Sequence, residues 1–555
     1  MLRIIFLIFA RGGASGIVSQ RPLRENRAMP LHTPAAKPSL PAALALMLSA
    51  AIPALGAEPS PSTAPWAYAD GATLQSAFAK GEFTAEALLA TLTSRIATVN
   101  EEGPALRAVR ALNPEAGAAA AASDARRKAG ASLGPLDGLP VLVKDNIETR
   151  DPLPTTAGSR ALLDNYAEED APVVAALRAQ GAVILGKTNL SQWANFRSND
   201  SVSGWSSVGG QVRNPHVLDR SPCGSSSGSG AAVAAGLAPL ALGTETNGSI
   251  ICPAQVNGIV GLKPTHGLLS IDGIVPIAAS QDTAGPMTRT VADAALMMDA
   301  LAPGQAFYQQ LARGIAGTRI VVARFAAGED PRILARLAQA EAWLQEAGAE
   351  MVSVDAFEQP LRALGEDSFT VLKAEFRQGM EAYLARARGA FRGKTLADLI
   401  AFNEAEASRE LARFDQDIFE ASEALGPLKP DEHAARVARL RQAARGGTLD
   451  ALLEANDAAL IIAPSGPLAP PVDLVNGDLW PAWLGLGSAA AIAGYPHLTV
   501  PLGTIEGVPM GLSFLATAGQ DALVLRAGYA LEQSRGPAPR PAFHPTAPVS
   551  WGPPE

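Results

Sequence analysis

Residues 221–267 read SPCGSSSGSGAAVAAGLAPLALGTETNGSIICPAQVNGIVGLKPTHG, and this segment gives the strongest indication of the fold. It contains two loops rich in serine or glycine, at 224–230 and 243–253, separated by the apolar run AAVAAGLAPLALG. This run predicts a buried helix that leads into a strand, because it consists of small and apolar residues with no charge. Glycine is the residue that lets one backbone segment pass close to another. The segment therefore predicts two serine-bearing loops on either side of a buried helix and strand.

Helices and strands alternate on both sides of this segment. An apolar strand, Leu139–Val143, ends at Lys144, and Thr84 caps a helix that runs to Ile96. This alternation predicts an α/β fold, a single large domain with a central mixed β-sheet covered by helices. Further helices are expected at 115–128, 173–180 and 522–533, and further strands at 182–185, 457–464 and 497–502.

The domain is predicted to span 58–555, with its core at 138–293 and a helical region on the substrate side at about 330–450. The charged, amphipathic segments of that region predict surface helices at 330–345, 365–388 and 395–425. Residues 1–57 are interpreted as an N-terminal extension and a signal peptide. Lys37 precedes the apolar run 42–52, and small residues end the segment at Ala57, which predicts a periplasmic or secreted protein. A transmembrane anchor is the weaker alternative, since the run is short and contains prolines nearby. Whether translation starts at Met1 or Met29 stays open.

Composition excludes several classes of partner. The net charge is −9, and residues 1–57 carry six basic residues but one acidic residue, so the rest is more acidic still. Such a balance argues against a nucleic-acid partner. We expect no metal and no cofactor, because the six histidines have no paired spacing. We also expect a monomer with no stable membrane insertion once the signal is removed.

The two cysteines, Cys223 and Cys252, are interpreted as small buried apolar residues, and a disulfide between them stays open.

Two familiar motifs occur but are rejected as chance matches. Residues 181–188 fit the phosphate-loop pattern GxxxxGKT, yet the predicted strand occupies the motif itself, where a phosphate loop needs flexible backbone. Residues 224–228 fit GxSxG, which would make Ser226 a nucleophile partnered by a downstream histidine. The preceding DRSPC at 219–223 does not form the apolar strand that this elbow requires. The candidate histidines for that alternative are His433, His497 and His544.

A wider constellation is far more specific. LPVLVKDNI at 139–147, the segment 221–267, SQDTAGPM at 280–287, AGYPHLTVPLG at 493–503 and GVPMGLSFL at 507–515 together resemble the amidase signature family. The resemblance implies that Lys144 is the base, Ser225 the bridging serine and Ser249 the nucleophile. It also implies a cis peptide between Gly224 and Ser225. Backbone amides of Thr246, Asn247 and Gly248 would then face the oxyanion, and Ser226 would form hydrogen bonds within the site.

The chemistry of amide cleavage explains these residue types. An amide carbonyl is poorly electrophilic, so a serine hydroxyl must lose its proton as it attacks. Without a histidine in the motif the base must be an amine, and lysine serves only when burial or positive potential lowers its pKa. We interpret Asp145, Asp282 and Arg289 as structural. Trp193 and Trp205 line either the substrate mouth or the core.

Within the family, the chain is most similar to bacterial peptide amidases, which implies hydrolysis of C-terminal peptide amides to acid and ammonia. NLSQWANFRS at 189–198 and LADLIAFN at 396–403 contribute to that similarity. Asn247 departs from it, since an aspartate is expected there. Two alternatives remain: a broad hydrolase of small aliphatic or aryl amides, and a catalytically silent binding protein with this fold.

Overall fold

The computed structural model describes residues 66–549. The predicted extension and signal peptide at 1–57 lie outside these residues. Among the helices from 66 to 549, none is both long enough and apolar enough to cross a membrane.

Within the described range, a mixed sheet of eleven strands forms the centre of the molecule, and a two-stranded ribbon lies apart from it. The strands are β1 Val109–Leu112, β2 Pro140–Lys144, β3 Val183–Thr188, β4 Trp205–Ser206, β5 Gly210–Gln211, β6 Leu240–Glu245, β7 Val260–Lys263, β8 Thr283–Thr288, β9 Arg319–Ala323, β10 Glu350–Val354, β11 Leu460–Pro464, β12 His497–Ile505 and β13 Val508–Leu515. The order in the main sheet is β1-β3-β2-β6-β8-β7-β12-β13-β11-β9-β10. β2 is parallel to both its neighbours, β3 and β6, whereas β6, β8, β7, β12, β13 and β11 pair antiparallel. The prediction of a mixed sheet is confirmed.

Helices cover this sheet. In the described part of the chain they are α1 Gly71–Lys80, α2 Ala85–Arg95, α3 Ala116–Lys128, α4 Pro172–Ala179, α5 Ser227–Ala234, α6 Ile251–Val256, α7 Val291–Leu301, α8 Phe307–Gln310, α9 Pro331–Glu346, α10 Gly365–Arg386, α11 Leu396–Ala405, α12 Ala407–Glu410, α13 Asp417–Leu425, α14 Pro430–Ala444, α15 Asp450–Ala455, α16 Gly487–Ala493 and α17 Asp521–Arg535.

Local signals placed several of these elements, whereas the surface helix predicted at 395–425 is divided into α11, α12 and α13. The Thr84 hydroxyl accepts a hydrogen bond from the Ala87 amide at 3.1 Å, so the predicted N-cap of α2 is correct. β3 runs through Gly186, Lys187 and Thr188, further than the predicted 182–185. The phosphate-loop match is therefore a buried strand, as its apolar sequence indicated.

The helical region packs against the core through aromatic side chains. Trp193 meets Phe419 at 5.7 Å between ring centroids, and Trp205 meets Phe414 at 5.2 Å, both edge to face. Both tryptophans are buried. Of the two roles left open for them, the structure therefore supports packing.

Candidate active site

Lys144 ends β2, the third strand from one edge of the sheet, and its amine lies in a fully buried polar cluster. The Nζ atom is 2.7 Å from Ser225 Oγ, 2.8 Å from Thr244 Oγ1 and 3.3 Å from the Thr244 carbonyl oxygen. Thr244 comes from β6, which pairs with β2 in parallel, so the pairing of these strands brings the hydroxyl to the amine. The lysine therefore contacts a serine that is 81 residues away in the sequence.

Burial sets the protonation of this lysine. Removal from water lowers the pKa of Lys144 to about 7, although the charges of Asp282 and Glu245 oppose that shift. Near neutral pH a substantial fraction of the amine is therefore uncharged. An uncharged amine beside a serine hydroxyl can accept the serine proton.

The loop that carries Ser225 is fixed by its own backbone. The Gly224–Ser225 peptide is cis, as the family resemblance implied. The Ser191 amide donates to the Ser225 carbonyl oxygen, and the Ser226 amide donates to the Ser249 carbonyl oxygen, each at 3.1 Å. A methyl group at Gly228 would collide with carbonyl oxygens of the neighbouring segments, so glycine is required for this close approach.

Ser226 points away from any histidine partner. Its hydroxyl donates to the Thr244 carbonyl oxygen at 3.0 Å and accepts from the Thr244 amide at 3.2 Å. No strand precedes it at 219–223. His497, one of the histidines considered for it, contacts Ser513 Oγ at 2.6 Å instead, and His433 contacts Glu375 at 2.7 Å. The nucleophile-elbow alternative has no structural support.

The second loop connects β6 to α6 and carries Ser249. Gly248 adopts a φ of +84°, a conformation that side chains other than glycine rarely accept, so the turn before Ser249 depends on this residue. Thr246 Oγ1 donates to Asp282 Oδ1 at 2.5 Å, and Asn247 Oδ1 accepts from Ser488 Oγ at 3.1 Å. These contacts hold the loop from both sides.

A small cavity of about 10 Å³ is lined by residues of both loops. Ser225, Ser249, Thr246 and Asn146 all contribute to its walls, together with an apolar wall that includes Ile274. The structure therefore places Ser225 and Ser249 on the wall of one cavity, and Lys144 contacts Ser225 at 2.7 Å. Asn247 lies outside this cavity and faces a second one.

The sequence left a disulfide between the two cysteines open and favoured small buried apolar residues, and the structure corrects this preference. Cys223 and Cys252 are both buried, but they form a disulfide. Cys223 directly precedes the cis peptide, and Cys252 follows Ser249 by three residues, so the bond ties the two serine loops together. Spacing alone could not show this pairing, because it depends on how two loops separated by a helix and a strand approach each other.

Further polar residues belong to the site. Asn146 Nδ2 donates to Thr244 Oγ1 at 3.0 Å, and its buried Oδ1 has no hydrogen-bond partner among the described residues. Glu245 Oε2 accepts from the amides of Ile250 and Ile251 at 2.8 and 3.0 Å. The sequence signal for these residues was their position beside Lys144 and within the second loop, but their contacts follow only from the sheet order.

The three residues interpreted as structural, Asp145, Asp282 and Arg289, form hydrogen bonds or ion pairs with other segments of the chain. Asp145 pairs with Arg110 at 2.6 Å. Arg289 donates to backbone carbonyl oxygens of Ala238 at 2.9 Å and Ala69 at 2.6 Å. Asp282 accepts from Thr246 and from two backbone amides, at 277 and 278, and burial raises its pKa to about 6. Among residues 66–549, no group of three or more histidine, cysteine or acidic side chains is arranged to hold a metal ion.

Comparison with known proteins agrees with this architecture. The family model described as Amidase matches residues 87–525. A probable amidase of Arabidopsis thaliana is 35% identical over 484 residues, which cover 82% of this chain and 88% of that protein. A glutamyl-tRNA(Gln) amidotransferase component of Roseiflexus castenholzii is 36% identical over 483 residues, covering 82% and 93%. The crystal structure of native peptide amidase from Stenotrophomonas maltophilia is 43% identical with a TM-score of 0.81, covering 86% of this chain and 99% of that one.

The fold and the site thus define a hydrolase built on a mixed α/β sheet, with a buried lysine and two serine-bearing loops. The chain belongs to the amidase family. It is an amidase, a hydrolase acting on carbon–nitrogen bonds of amides.

Proposed function

We propose that this amidase hydrolyses the C-terminal carboxamide of peptides to a carboxylic acid and ammonia through an acyl-enzyme on Ser249. The observation that carries the catalytic assignment is the buried contact of 2.7 Å between Lys144 Nζ and Ser225 Oγ, together with a cavity that both Ser225 and Ser249 line. The pKa of Lys144, lowered to about 7 by burial, makes the amine a competent base at neutral pH.

In the first half-reaction, the Ser249 hydroxyl passes its proton to Ser225 Oγ as its oxygen attacks the carboxamide carbon. Ser225 passes its own proton to the neutral amine of Lys144, so the relay ends with a lysine ammonium and a tetrahedral intermediate. The carbon–nitrogen bond then breaks. The leaving nitrogen receives a proton back along the same path, which releases ammonia and leaves an acyl ester on Ser249.

The second half-reaction repeats the relay with water. A water molecule gives one proton through Ser225 to Lys144 while its oxygen attacks the ester carbon. Collapse of the intermediate returns that proton to Ser249 Oγ and releases the peptide acid. The site is restored with Lys144 neutral.

We assign stabilisation of the oxyanion to backbone amides of residues 246–249. Glu245 already engages the amides of Ile250 and Ile251, which leaves this role to the preceding turn. Loss of one such donor typically costs about 3 kcal/mol of transition-state stabilisation. Asn146 lines the cavity, and its buried Oδ1 has no partner among the described residues, so this oxygen is suited to accept a hydrogen bond from the substrate NH₂ group.

Similarity favours peptide amides over the alternatives. The chain is 43% identical to a protein whose structure is described as a peptide amidase, and 36% identical to the amidotransferase component. A broad hydrolase of small aliphatic or aryl amides is the alternative that shares the same site. It differs in the acyl group, not in the chemistry.

The test uses residues 58–555 and an N-acetylated dipeptide amide. We expect release of ammonia and of the dipeptide acid, with the internal peptide bond intact. The Ser249→Ala variant should lose this activity, and a fluorophosphonate should no longer label it. Ser229→Ala is the matched control, because its hydroxyl contacts Thr188 Oγ1 at 2.8 Å outside the cavity.

Other outcomes are equally informative. Turnover of small or aryl amides without turnover of the peptide amide would keep Ser249 as the proposed nucleophile, but the substrates would then be small or aryl amides instead of peptide amides. Full activity of Ser249→Ala would refute the mechanism. Absence of any covalent adduct in the unmodified protein would favour a silent site.

We also propose that the protein is exported and acts in the periplasm or outside the cell. A disulfide beside the site suits an oxidising compartment. Mass spectrometry of the secreted protein is expected to find an N-terminus near Glu58. A retained Leu2 would contradict export by cleavage of this signal.

A further inference from the structure

A second, larger cavity lies beside the nucleophile loop. Its volume is about 50 Å³, and Asn247 forms part of its wall. Every residue from 221 to 264 is buried except Asn247, which is half-buried. Asn247 is therefore the point at which the catalytic segment reaches an open space.

This second cavity is assembled from three parts of the chain. The nucleophile loop supplies Asn247, the helical region supplies the segment around Leu361, and the segment from Trp483 to Ile492 supplies the opposite wall. The nucleophile is close, because Asn247 and Ser249 are two residues apart and two residues span at most about 7 Å. A side chain on an acyl group held at Ser249 can reach this distance.

The walls are mostly apolar. Leu361, Trp483, Leu486 and Ile492 contribute the large apolar side chains of this lining. Trp483 is itself held by an edge-to-face contact with Trp480, at 5.7 Å between ring centroids. An apolar side chain that entered this space would lose contact with water on several sides, which favours its binding.

The charge of the second cavity is the more specific feature. Among the described residues that line it, Arg362 is the one charged group, and its side chain is exposed. Asn247 is neutral, and its Oδ1 is engaged by Ser488 Oγ. A cationic side chain entering here would leave water without meeting any carboxylate, and it would meet a guanidinium of like charge.

We propose that the second cavity selects the substrate by the side chain of the residue that bears the carboxamide, and that it prefers large apolar side chains and rejects cationic ones. This inference rests on the proposed peptide amidase activity and specifies its substrate class. The selecting groups are Trp483, through apolar contact, and Arg362 with neutral Asn247, through charge.

The first experiment compares three N-acetylated dipeptide amides whose second residue is phenylalanine, alanine or lysine. Ammonia release gives kcat/KM for each. We expect the phenylalanine amide to exceed the alanine amide by about tenfold and the lysine amide by about a hundredfold.

Two kinds of variant then separate apolar contact from charge. Trp483→Ala is expected to lower kcat/KM for the phenylalanine amide about tenfold, mainly through KM, and to change the alanine amide less than about twofold. Arg362→Glu is expected to raise the ratio of lysine to phenylalanine turnover about tenfold, and Arg362→Gln, the matched control for size, by a smaller factor. Asn247→Asp should shift the same ratio in the same direction. Each ratio is measured in one protein preparation, so partial misfolding cancels.

The outcomes distinguish this inference from the proposed function. Two results would overturn the inference and leave the proposed peptide amidase activity intact. The first is hydrolysis of all three peptide amides at similar rates. The second is an unchanged ratio of lysine to phenylalanine turnover in Arg362→Glu together with an unchanged kcat/KM for the phenylalanine amide in Trp483→Ala. No ammonia from any peptide amide, with Ser249 still labelled by a small alkyl fluorophosphonate, would overturn both.

Discussion

The core at 138–293 and the helical region at 330–450 contribute to the same molecule in opposite ways. From 221 to 246 every residue of the core is buried, whereas helices such as α9 and α14 in the helical region are exposed along much of their length. Lys144, Ser225 and Ser249 come from the first region. The second supplies part of the wall of the larger cavity.

Polar contacts join the two regions at defined points. Glu410, fully buried, accepts hydrogen bonds from the Arg160 amide at 2.9 Å and from Ser207 Oγ at 2.7 Å. Glu375 accepts a hydrogen bond from the backbone amide of Ser280 at 2.9 Å, and Ser280 lies two residues before Asp282. The helical region thus contacts the segment that holds the nucleophile loop without adding any of the three predicted catalytic groups.

This contrast indicates that reactivity and selection are separable in this enzyme. A change in the core is expected to alter the chemical step, and a change in the helical region is expected to alter which substrate is accepted or how firmly the site is held. Substitutions in the two regions test that division.

The strongest loss of activity is expected from Lys144→Met, which removes the proposed base and keeps a side chain of similar length. We expect kcat/KM to fall roughly 10²- to 10⁴-fold, the usual contribution of a general base. In the unmodified enzyme the protonated amine cannot accept a proton, so kcat/KM should fall as pH drops through about 7, the pKa of Lys144, and level off above it. A pH–rate profile measures both.

Lys187 offers a matched control in the same region. It is also fully buried, with a pKa lowered to about 8 by burial, but its Nζ bonds to Thr155 Oγ1 at 3.1 Å and to the Ile147 carbonyl. Lys187→Met should reduce the free energy of unfolding and retain the pH midpoint. If Lys187→Met lost the midpoint near pH 7 in kcat/KM, or if Lys144→Met kept it, the assignment of Lys144 as the base would be wrong.

An intermediate effect is expected from removing the disulfide by combining Cys223→Ala with Cys252→Ala. Loop-closure entropy over a separation of 29 residues predicts a loss of about 3–4 kcal/mol in the free energy of unfolding. Because the bond ties both serine loops, kcat should fall as well. Chemical denaturation and ammonia release measure the two effects, and an unchanged kcat in the folded variant would show that backbone contacts alone position the loops.

The weakest effect is expected from Glu375→Ala in the helical region. It removes the acceptor for the Ser280 amide and for His433 Nε2, which costs about 1–3 kcal/mol of stability. We expect a several-fold rise in KM with little change in kcat. Asp367→Ala is the control, since that carboxylate also lies on α10 but pairs with Arg436 and Arg439 inside the helical region. A fall in kcat as large as that of Lys144→Met would erase the distinction between the regions.

Much of this organisation can be predicted from the sequence because the signals are local. Thr84 predicts its own N-cap, and the apolar run before Lys144 predicts β2, since capping and strand burial depend on neighbouring residues. Prediction fails where contacts are distant. The cysteines are misinterpreted because nothing near Cys223 indicates that α6 brings Cys252 beside it. Asn146 and Asp282 need the sheet order before their contacts can be assigned.

Residue types, spacing and loop glycines along the chain were enough to predict the α/β class and the family, which are confirmed, and to single out Lys144, Ser225 and Ser249 as the predicted catalytic residues. They could not establish that Lys144 is buried against Ser225 and Thr244, that the cysteines pair, or that Asn247 opens onto a cavity walled by residues more than a hundred positions away. Those features came from the tertiary structure alone. The physical reason is that a pKa, a covalent cross-link and a cavity depend on distances in space, and these are set by the order in which the strands pair.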